Sequence, residues 1–174
     1  MSSRAEATGF GRRNEAGALA TAFGWVATGL VVQAALVPFV AIAGGMPSAV
    51  GIGVVLFALR RPPLVAAIFG LLTGALADAL SGGTGAAWIF ATTAEALALG
   101  LLARLVFIDG IVLCSLAVFA GVLVRDVLFW TGMKVAGYPS GLGLDHLHMA
   151  MISAAESAAV TVVLLFVRAR WAER

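Results

Sequence analysis

The sequence predicts an all-α integral membrane protein, built as a bundle of six transmembrane helices. Of its 174 residues, 61% are hydrophobic and only 11% are charged, whereas a soluble domain carries about 25% charged residues. The apolar residues stand in long continuous runs, which is the pattern of membrane spans. A chain of this length that spends most of its residues on spans is too short for an additional soluble catalytic domain.

The first two spans come from one stretch without charge, residues 18–59. This stretch is too long for one span and about right for two, with a turn expected over residues 44–47. The second helix, expected over residues 47–59, covers only about 20 Å of a hydrocarbon core that is about 30 Å thick. Residues 1–17 are polar and are expected to form a poorly ordered N-terminal tail.

The third to sixth spans follow from four further apolar runs, which are separated by charges and by glycine or proline. Asp145 is expected to cap the sixth helix. The six spans together form a membrane domain over residues 18–168, followed by a C-terminal tail over residues 169–174. The four expected helices are 64–80, 85–105, 110–131 and 145–167.

The basic residues predict the orientation of the bundle. Six spans place both termini on one side, and cytoplasmic segments of membrane proteins carry an excess of Lys and Arg. Only Lys134 falls on the opposite side, and Arg125 lies inside a span. Both tails are therefore expected in the cytoplasm. The arginines on that side are Arg4, Arg12, Arg13, Arg60, Arg61, Arg104, Arg168, Arg170 and Arg174.

The third helix carries a face of small residues that ends in a carboxylate. Gly70, Gly74 and Asp78 are four residues apart, so they share one face of a helix. Small residues let another helix approach closely in lipid. We therefore hypothesise a groove for the helix of a partner protein, formed by this face and the glycine-rich turn after it. The groove comprises Gly70, Gly74, Asp78, Gly82, Gly83 and Gly85.

A second stripe of small residues lies on the first helix. Ala16, Ala20, Gly24 and Thr28 recur at the same four-residue spacing. The stripe can bind a partner's helix, or it can pack against another helix of the same chain. The sequence favours packing within the chain, because small-residue contacts are general in membrane bundles.

Ionisable residues inside the spans are costly and are candidates for function. The arginine fork suits a carboxylate, and the expected partners of Arg125 are Glu156, Glu95 or Asp78. Such an internal ion pair would fix the register of the helices, and the alternative is a pathway for protons or a solute. The expected intramembrane polar network comprises Glu95, Arg125, Asp126 and Glu156.

Polar residues on the sixth helix have simpler expected roles. Ser153, Ser157 and Thr161 line one stripe and can form hydrogen bonds to other helices. His146 and His148 at the start of the helix are expected to be interfacial, because a metal site needs three or four ligands. No metal, cofactor or nucleic acid is expected, and the net charge of +2 is explained by membrane topology.

A family resemblance rests on the region around the third helix. Residues 57–62, Phe-Ala-Leu-Arg-Arg-Pro, end the short second helix in a basic turn. Residues 78–85, Asp-Ala-Leu-Ser-Gly-Gly-Thr-Gly, follow the glycine-rich third helix. This segment is similar to the D-x-x-S-G-x-x-G pattern of the bacterial rod shape-determining MreD family. Chain length and the six-span layout match as well, and the resemblance covers residues 33–170. The charged N-terminal tail departs from the many members that begin almost at the first helix.

The resemblance implies a non-enzymatic scaffold in the bacterial cytoplasmic (inner) membrane, within the machinery that builds the lateral cell wall. Its expected direct partner is an MreC-like single-span protein, in addition to the surrounding lipid bilayer. Its indirect partners would be the RodA glycosyltransferase, a class B penicillin-binding protein and the MreB cytoskeleton. The implied fold resembles the substrate-binding subunits of energy-coupling-factor vitamin transporters.

Two alternatives belong to another class of protein. One is a substrate-binding subunit of an energy-coupling-factor vitamin transporter, with a pocket near the outer loops that uses Arg125, Trp130 and His148. The other is a small ion-coupled transporter that uses Glu95 and Glu156. The first requires an ATPase module as partner, and the second requires no partner.

Overall fold

The protein folds into six helices, which confirms the predicted all-α membrane class. The computed structural model describes residues 3–36, 45–82, 84–106, 108–137 and 143–172. It is 87% helical, and the described residues contain no β-strand. The helices are α1 (Ser3–Leu36), α2 (Ala49–Ala58), α3 (Pro63–Leu80), α4 (Ala87–Leu105), α5 (Gly110–Val135) and α6 (Gly143–Ala172).

Four of the helices, α3 to α6, are long and apolar enough to cross a membrane. The shortest of them, α3, has 18 residues and is about 27 Å long, close to the roughly 30 Å of the hydrocarbon core. The apolar segment of α1 is shorter and runs from Leu19 to Ala35. Helix α2 has only ten residues, so the prediction of a short second helix is confirmed.

Several helix ends differ from the sequence-based expectation, and α6 also continues beyond residue 167 to Ala172. Helix α1 already begins at Ser3, so it includes residues that are expected to form the N-terminal tail. This segment is rich in Ala, Arg and Glu, which extend an existing helix readily. Helix α5 continues to Val135. Helix α6 begins at Gly143, so Asp145 lies in its first turn instead of capping it. A carboxylate in the first turn still interacts favourably with the helix dipole.

Helices α3 and α4 form the closest pair in the bundle, and glycines make this approach possible. A Cβ on Gly70 would overlap the carbonyl oxygen of Thr92. A Cβ on Gly74 would lie 2.7 Å from the carbonyl oxygen of Trp88, and one on Gly100 would lie 2.9 Å from Pro63 Cα. The small face of α3 is therefore a helix-packing surface, as its spacing predicts, and its partner is the next helix of the same chain.

The short helix α2 lies at the centre of the bundle. It packs against all five other helices in the described part of the chain. Val54, Val55 and Ala58 on α2 have no exposed surface, and the ring of Phe57 lies 4.2 Å from that of Phe69 on α3. The backbone groups at both ends of a central helix need hydrogen-bond partners from the surrounding chain. At the end that begins at Ser48, polar side chains provide these partners.

Candidate functional site

The polar groups of the bundle meet at the N-terminus of α2. The first N–H groups of a helix have no partner within the helix, and the membrane interior offers no water to satisfy them. Ser48 Oγ accepts a hydrogen bond from Gly51 N at 3.1 Å. Ala49 N donates to Gln33 Oε1 at 3.1 Å, and Ser48 N donates to Ser157 Oγ at 2.8 Å. Side chains from α1 and α6 thus accept hydrogen bonds from the backbone N–H groups at the buried N-terminal end of α2.

Arg125 on α5 joins this cluster and is 3% exposed. Its Nη1 donates to Ser48 Oγ at 2.9 Å, and its Nη2 forms an ion pair with Asp126 Oδ1 at 2.8 Å. The guanidinium carbon lies 5.5 Å from the ring centre of Trp88, within reach of a cation–π interaction. Arg125 is therefore the polar link between α5, α2 and the first turn of α4.

The expected partners of Arg125 are wrong, although the internal ion pair itself is present. The guanidinium pairs with its neighbour in sequence, Asp126, and not with Glu156, Glu95 or Asp78. The long arginine side chain bends back along α5 and reaches both Asp126 and the cap of α2. A four-residue spacing rule on one helix does not detect a pair of this kind.

Gly51 is the position that lets Arg125 reach the end of α2. A Cβ at this glycine would lie 2.6 Å from Arg125 Nη1 and 2.7 Å from Val122 Cγ2. Contacts this short do not occur for real side chains without movement of the neighbours. A side chain at position 51 would therefore displace the guanidinium from this place.

Two buried carboxyl groups remain outside this cluster. Glu95 on α4 is 1% exposed, and neither of its carboxyl oxygens has a hydrogen-bond partner in the described part of the chain. The same holds for the carboxyl oxygens of Glu156 on α6. Ala87, Ala91 and Glu95 share a buried face of α4, as their spacing predicts. Together with Thr73 Oγ1, these carboxyl oxygens are the exceptions among the described residues to the rule that buried polar groups are paired.

Asp78 has a local role at the turn between α3 and α4. Its Oδ1 accepts hydrogen bonds from Thr84 N at 3.1 Å and from Thr84 Oγ1 at 2.5 Å. Ser81 Oγ donates to the carbonyl oxygen of Ala77 at 2.7 Å. Gly82 adopts a positive φ of 79°, a conformation that glycine tolerates best. The segment that carries the family resemblance therefore closes a tight connection between two antiparallel helices.

The predicted partner-helix groove on α3 is wrong for its helical part. Gly70 and Gly74 are buried against α4, so no partner helix can reach them. Gly82 and Gly85 at the turn are exposed, and Gly83 lies outside the described residues. The spacing rule detects a packing face correctly, but it cannot tell a helix of the same chain from a helix of another protein.

The small-residue stripe on α1 differs from the face on α3, because no other helix covers it in the described part of the bundle. Ala20, Gly24 and Thr28 are exposed, and a Cβ on Gly24 would find no described atom within 4 Å. The favoured interpretation, packing within the chain, is therefore wrong for the described residues. The side chain of Ala16 lies outside them. The stripe faces outward from the bundle, on the side of α1 opposite the buried Val26.

The C-terminal part of α5 and the first turn of α6 meet through aromatic rings. Trp130 stacks on His146 with ring centres 6.3 Å apart, and His146 Nε2 lies 3.4 Å from the carbonyl oxygen of Asp126. His148 is exposed, and the described residues contain no group of three potential metal ligands.

Sequence reasoning missed the residues that close α2. Ser48 directly precedes an apolar helical run, which is a recognisable cap signal. Gln33 is an uncharged polar residue within a long apolar stretch, and nothing in its local pattern indicates its partner. The polar stripe of α6 is predicted to form hydrogen bonds to other helices. Ser157 accepts a bond from the N-cap residue of α2, and Ser153 Oγ donates to the carbonyl oxygen of Met46 in the segment before α2. Thr161, in contrast, bonds within α6 to the carbonyl oxygen of Ser157.

Comparison of the chain with protein-family models, with curated proteins and with solved structures gives no match. The polar cluster and the outward face of α1 therefore have to be interpreted from their own chemistry.

Proposed function

We propose that the protein is a non-catalytic membrane scaffold that binds the transmembrane helix of a single-span partner on the outward face of α1. The observation that carries this proposal is the exposed small-residue stripe of Ala20, Gly24 and Thr28. Lipid chains do not require small side chains, whereas close contact between helix backbones does. Small residues at one regular spacing on an outward face thus favour a helix of another protein.

The segment over residues 78–85 supports a more specific assignment. Its similarity to the D-x-x-S-G-x-x-G pattern favours an MreD-like component of the bacterial cell-wall elongation complex. The partner helix would then belong to an MreC-like single-span protein. Through this partner the scaffold would act together with the RodA glycosyltransferase, a class B penicillin-binding protein and MreB. The proposed location is the bacterial cytoplasmic membrane, with both termini in the cytoplasm.

The proposal is tested by affinity purification of the tagged full chain from native membranes in mild detergent, with mass spectrometry of the bound proteins. We expect recovery of a single-span protein with a large extracytoplasmic domain. Gly24→Leu is expected to reduce this recovery at least about tenfold, because the leucine side chain separates the two helix backbones. The yield of folded protein should stay unchanged, since leucine favours a helix more than glycine does.

Ala98→Leu is the matched control, because Ala98 is an exposed small residue on α4. This variant should recover the partner at the wild-type level. Full recovery by the Gly24→Leu variant would contradict the assignment to α1. Recovery of ATPase subunits instead of a single-span protein would favour the vitamin-transporter class.

A second candidate function, an ion-coupled transporter, is favoured by the unpaired carboxyl groups of Glu95 and Glu156. Intramembrane carboxyl groups without a partner are typical of ion pathways. Proton flux into liposomes that contain the purified chain distinguishes the two candidates. A flux that Glu95→Gln abolishes would support the transporter, and a scaffold gives no flux above empty liposomes.

A further inference from the structure

A long groove runs along the bundle between α1 and α6, with α2 as its floor. It has a volume of about 980 Å³. Helices α1 and α6 each pack against α2 but not against each other in the described part of the chain, so the groove separates them. Along α1 it extends from Gly17 to Gln33, a distance of about 24 Å.

The walls of the groove are apolar over most of this length. Val26 and Ile52 line its inner side, and Val160 and Leu164 of α6 line one edge. The exposed indole of Trp25 on α1, 74% accessible, lines the other edge. This surface suits a hydrocarbon chain, and at its depth in the membrane it faces acyl chains.

The end of the groove beside the α2–α3 turn is strongly basic. Arg60, Arg61 and Arg168 line this end, and the ring of Phe57 lies 5.7 Å below the guanidinium of Arg61. Arg60 and Arg168 are exposed, and they also line an adjoining hollow together with Asp109. The Asp109 carboxylate accepts a hydrogen bond from Gly110 N at 2.8 Å. Arg60 and Arg168 together thus carry more charge than the single carboxylate of Asp109 beside them.

The combination of an apolar channel and an arginine cluster at one end defines a chemical class of ligand. The arginine fork binds phosphate through two parallel hydrogen bonds. Basic pockets between helices on the cytoplasmic side are binding sites for anionic lipid headgroups. A transmembrane helix of a partner fits this groove less well, because its apolar side chains would leave Arg60 and Arg168 without a counter-charge.

We propose that this groove binds one anionic phospholipid of the cytoplasmic leaflet. The acyl chains lie along α2 between α1 and α6, and the phosphate is held by Arg60 and Arg168. The proposal is independent of the scaffold function, since the groove lies beside the outward stripe of α1 and shares none of its three exposed residues.

Native mass spectrometry of the purified full chain, titrated with phosphatidylglycerol or with phosphatidylcholine of identical chains, tests the proposal. We expect one phosphatidylglycerol to bind at least about tenfold more tightly than phosphatidylcholine. The double variant Arg60→Gln/Arg168→Gln should abolish this difference, since two charge-assisted contacts exceed a tenfold effect. The control Arg104→Gln/Arg170→Gln removes the same charge outside the groove and should keep the preference.

The apolar part is tested separately with Val160→Trp, which places a bulky ring in the groove and should weaken binding of both lipids. Val163 lies on the same helix, is 60% exposed and does not line the groove, so Val163→Trp should bind lipid like the wild type. Equal affinity for the two lipids would overturn the proposal. Competition by inorganic phosphate alone would also overturn it, because a free anion would then be the ligand. A Val160→Trp variant that loses a protein partner but binds lipid like the wild type would overturn the proposal as well.

Discussion

Arg125 reaches from α5 to the first turn of α2 and donates to the serine that caps this helix. The same guanidinium balances the Asp126 carboxylate and lies over Trp88. A charged group in the membrane is costly unless it is paired and hydrogen-bonded. The contacts with Ser48 and Trp88 also join α5 to α2 and α4, so the guanidinium helps to hold the short helix α2 in its position.

Replacement of Arg125 measures how much its side chain contributes to holding α2 in position. Arg125→Ala removes the bond to Ser48 and leaves the Asp126 carboxylate without its counter-charge. Breaking a buried pair on one side costs about 3–5 kcal/mol, so the melting temperature and the folded yield in detergent should fall. Thermal unfolding followed by size-exclusion chromatography measures both quantities.

The double variant Arg125→Ala/Asp126→Ala serves as the control for the uncompensated charge. It should be more stable than Arg125→Ala alone, because the unpaired carboxylate is gone. An Arg125→Ala variant with wild-type melting behaviour would show that α2 is held without the guanidinium.

At the scale of the helices, the α3–α4 pair shows how glycine spacing and a capped turn act together. Gly70 and Gly74 bring the two backbones close, and Thr92 Oγ1 donates to the carbonyl oxygen of Gly70 at 2.8 Å across the contact. At the turn between the two helices, a hydrogen bond from Thr84 to Asp78 closes the connection. The packing face and the turn are consecutive in sequence, so this hairpin forms from contacts that are local along the chain.

Gly74→Leu is expected to destabilise the fold. The new side chain would collide with the backbone of α4 at Ile89 and Trp88, and overpacking of this kind costs typically 1–3 kcal/mol. A lower melting temperature in detergent is the expected result. Ala79→Leu, at an exposed position of the same helix, should unfold at the wild-type temperature. Unchanged stability of Gly74→Leu would mean that α3 and α4 can separate without cost.

At the scale of the whole molecule, the bundle is organised around its shortest helix. Helix α2 contacts every other helix, and both the polar cluster and the apolar groove lie against it. Its two ends are different, because one is buried among hydrogen-bonding side chains and the other leads into the basic turn at Arg60. One end of α2 is therefore part of a hydrogen-bonded interior, and the other end lies at a surface that is open to lipid.

The orientation of the whole molecule is a separate prediction, tested by cysteine labelling of spheroplasts with a membrane-impermeant maleimide. In a Cys114→Ala background, Ser81→Cys should be labelled at once, because the α3–α4 turn is expected outside the cytoplasm. Val106→Cys, exposed at the turn after α4, should be labelled only after permeabilisation. The reverse pattern would place both termini outside the cytoplasm.

How far a residue's role could be predicted depends on how local its contacts are. The sequence alone predicts the membrane class, the short α2 and the α3–α4 hairpin, since apolar runs and four-residue spacings determine helix length and helix faces. Of the expected intramembrane polar network, Arg125 and Asp126 belong to the cluster at α2, whereas Glu95 and Glu156 lie outside it. The sequence could not assign Arg125 to Asp126 and Ser48, because a long flexible side chain chooses among several groups of similar chemistry.

Only the tertiary structure decided which of the two small-residue faces is covered by a neighbouring helix. The stripes on α1 and α3 have the same spacing and the same chemistry, yet α4 covers Gly70 and Gly74 while Gly24 faces outward. Helix period determines a face, but the partner of that face depends on how all the helices are arranged. The same reason explains the groove, because its walls come from segments far apart in sequence that meet only around α2.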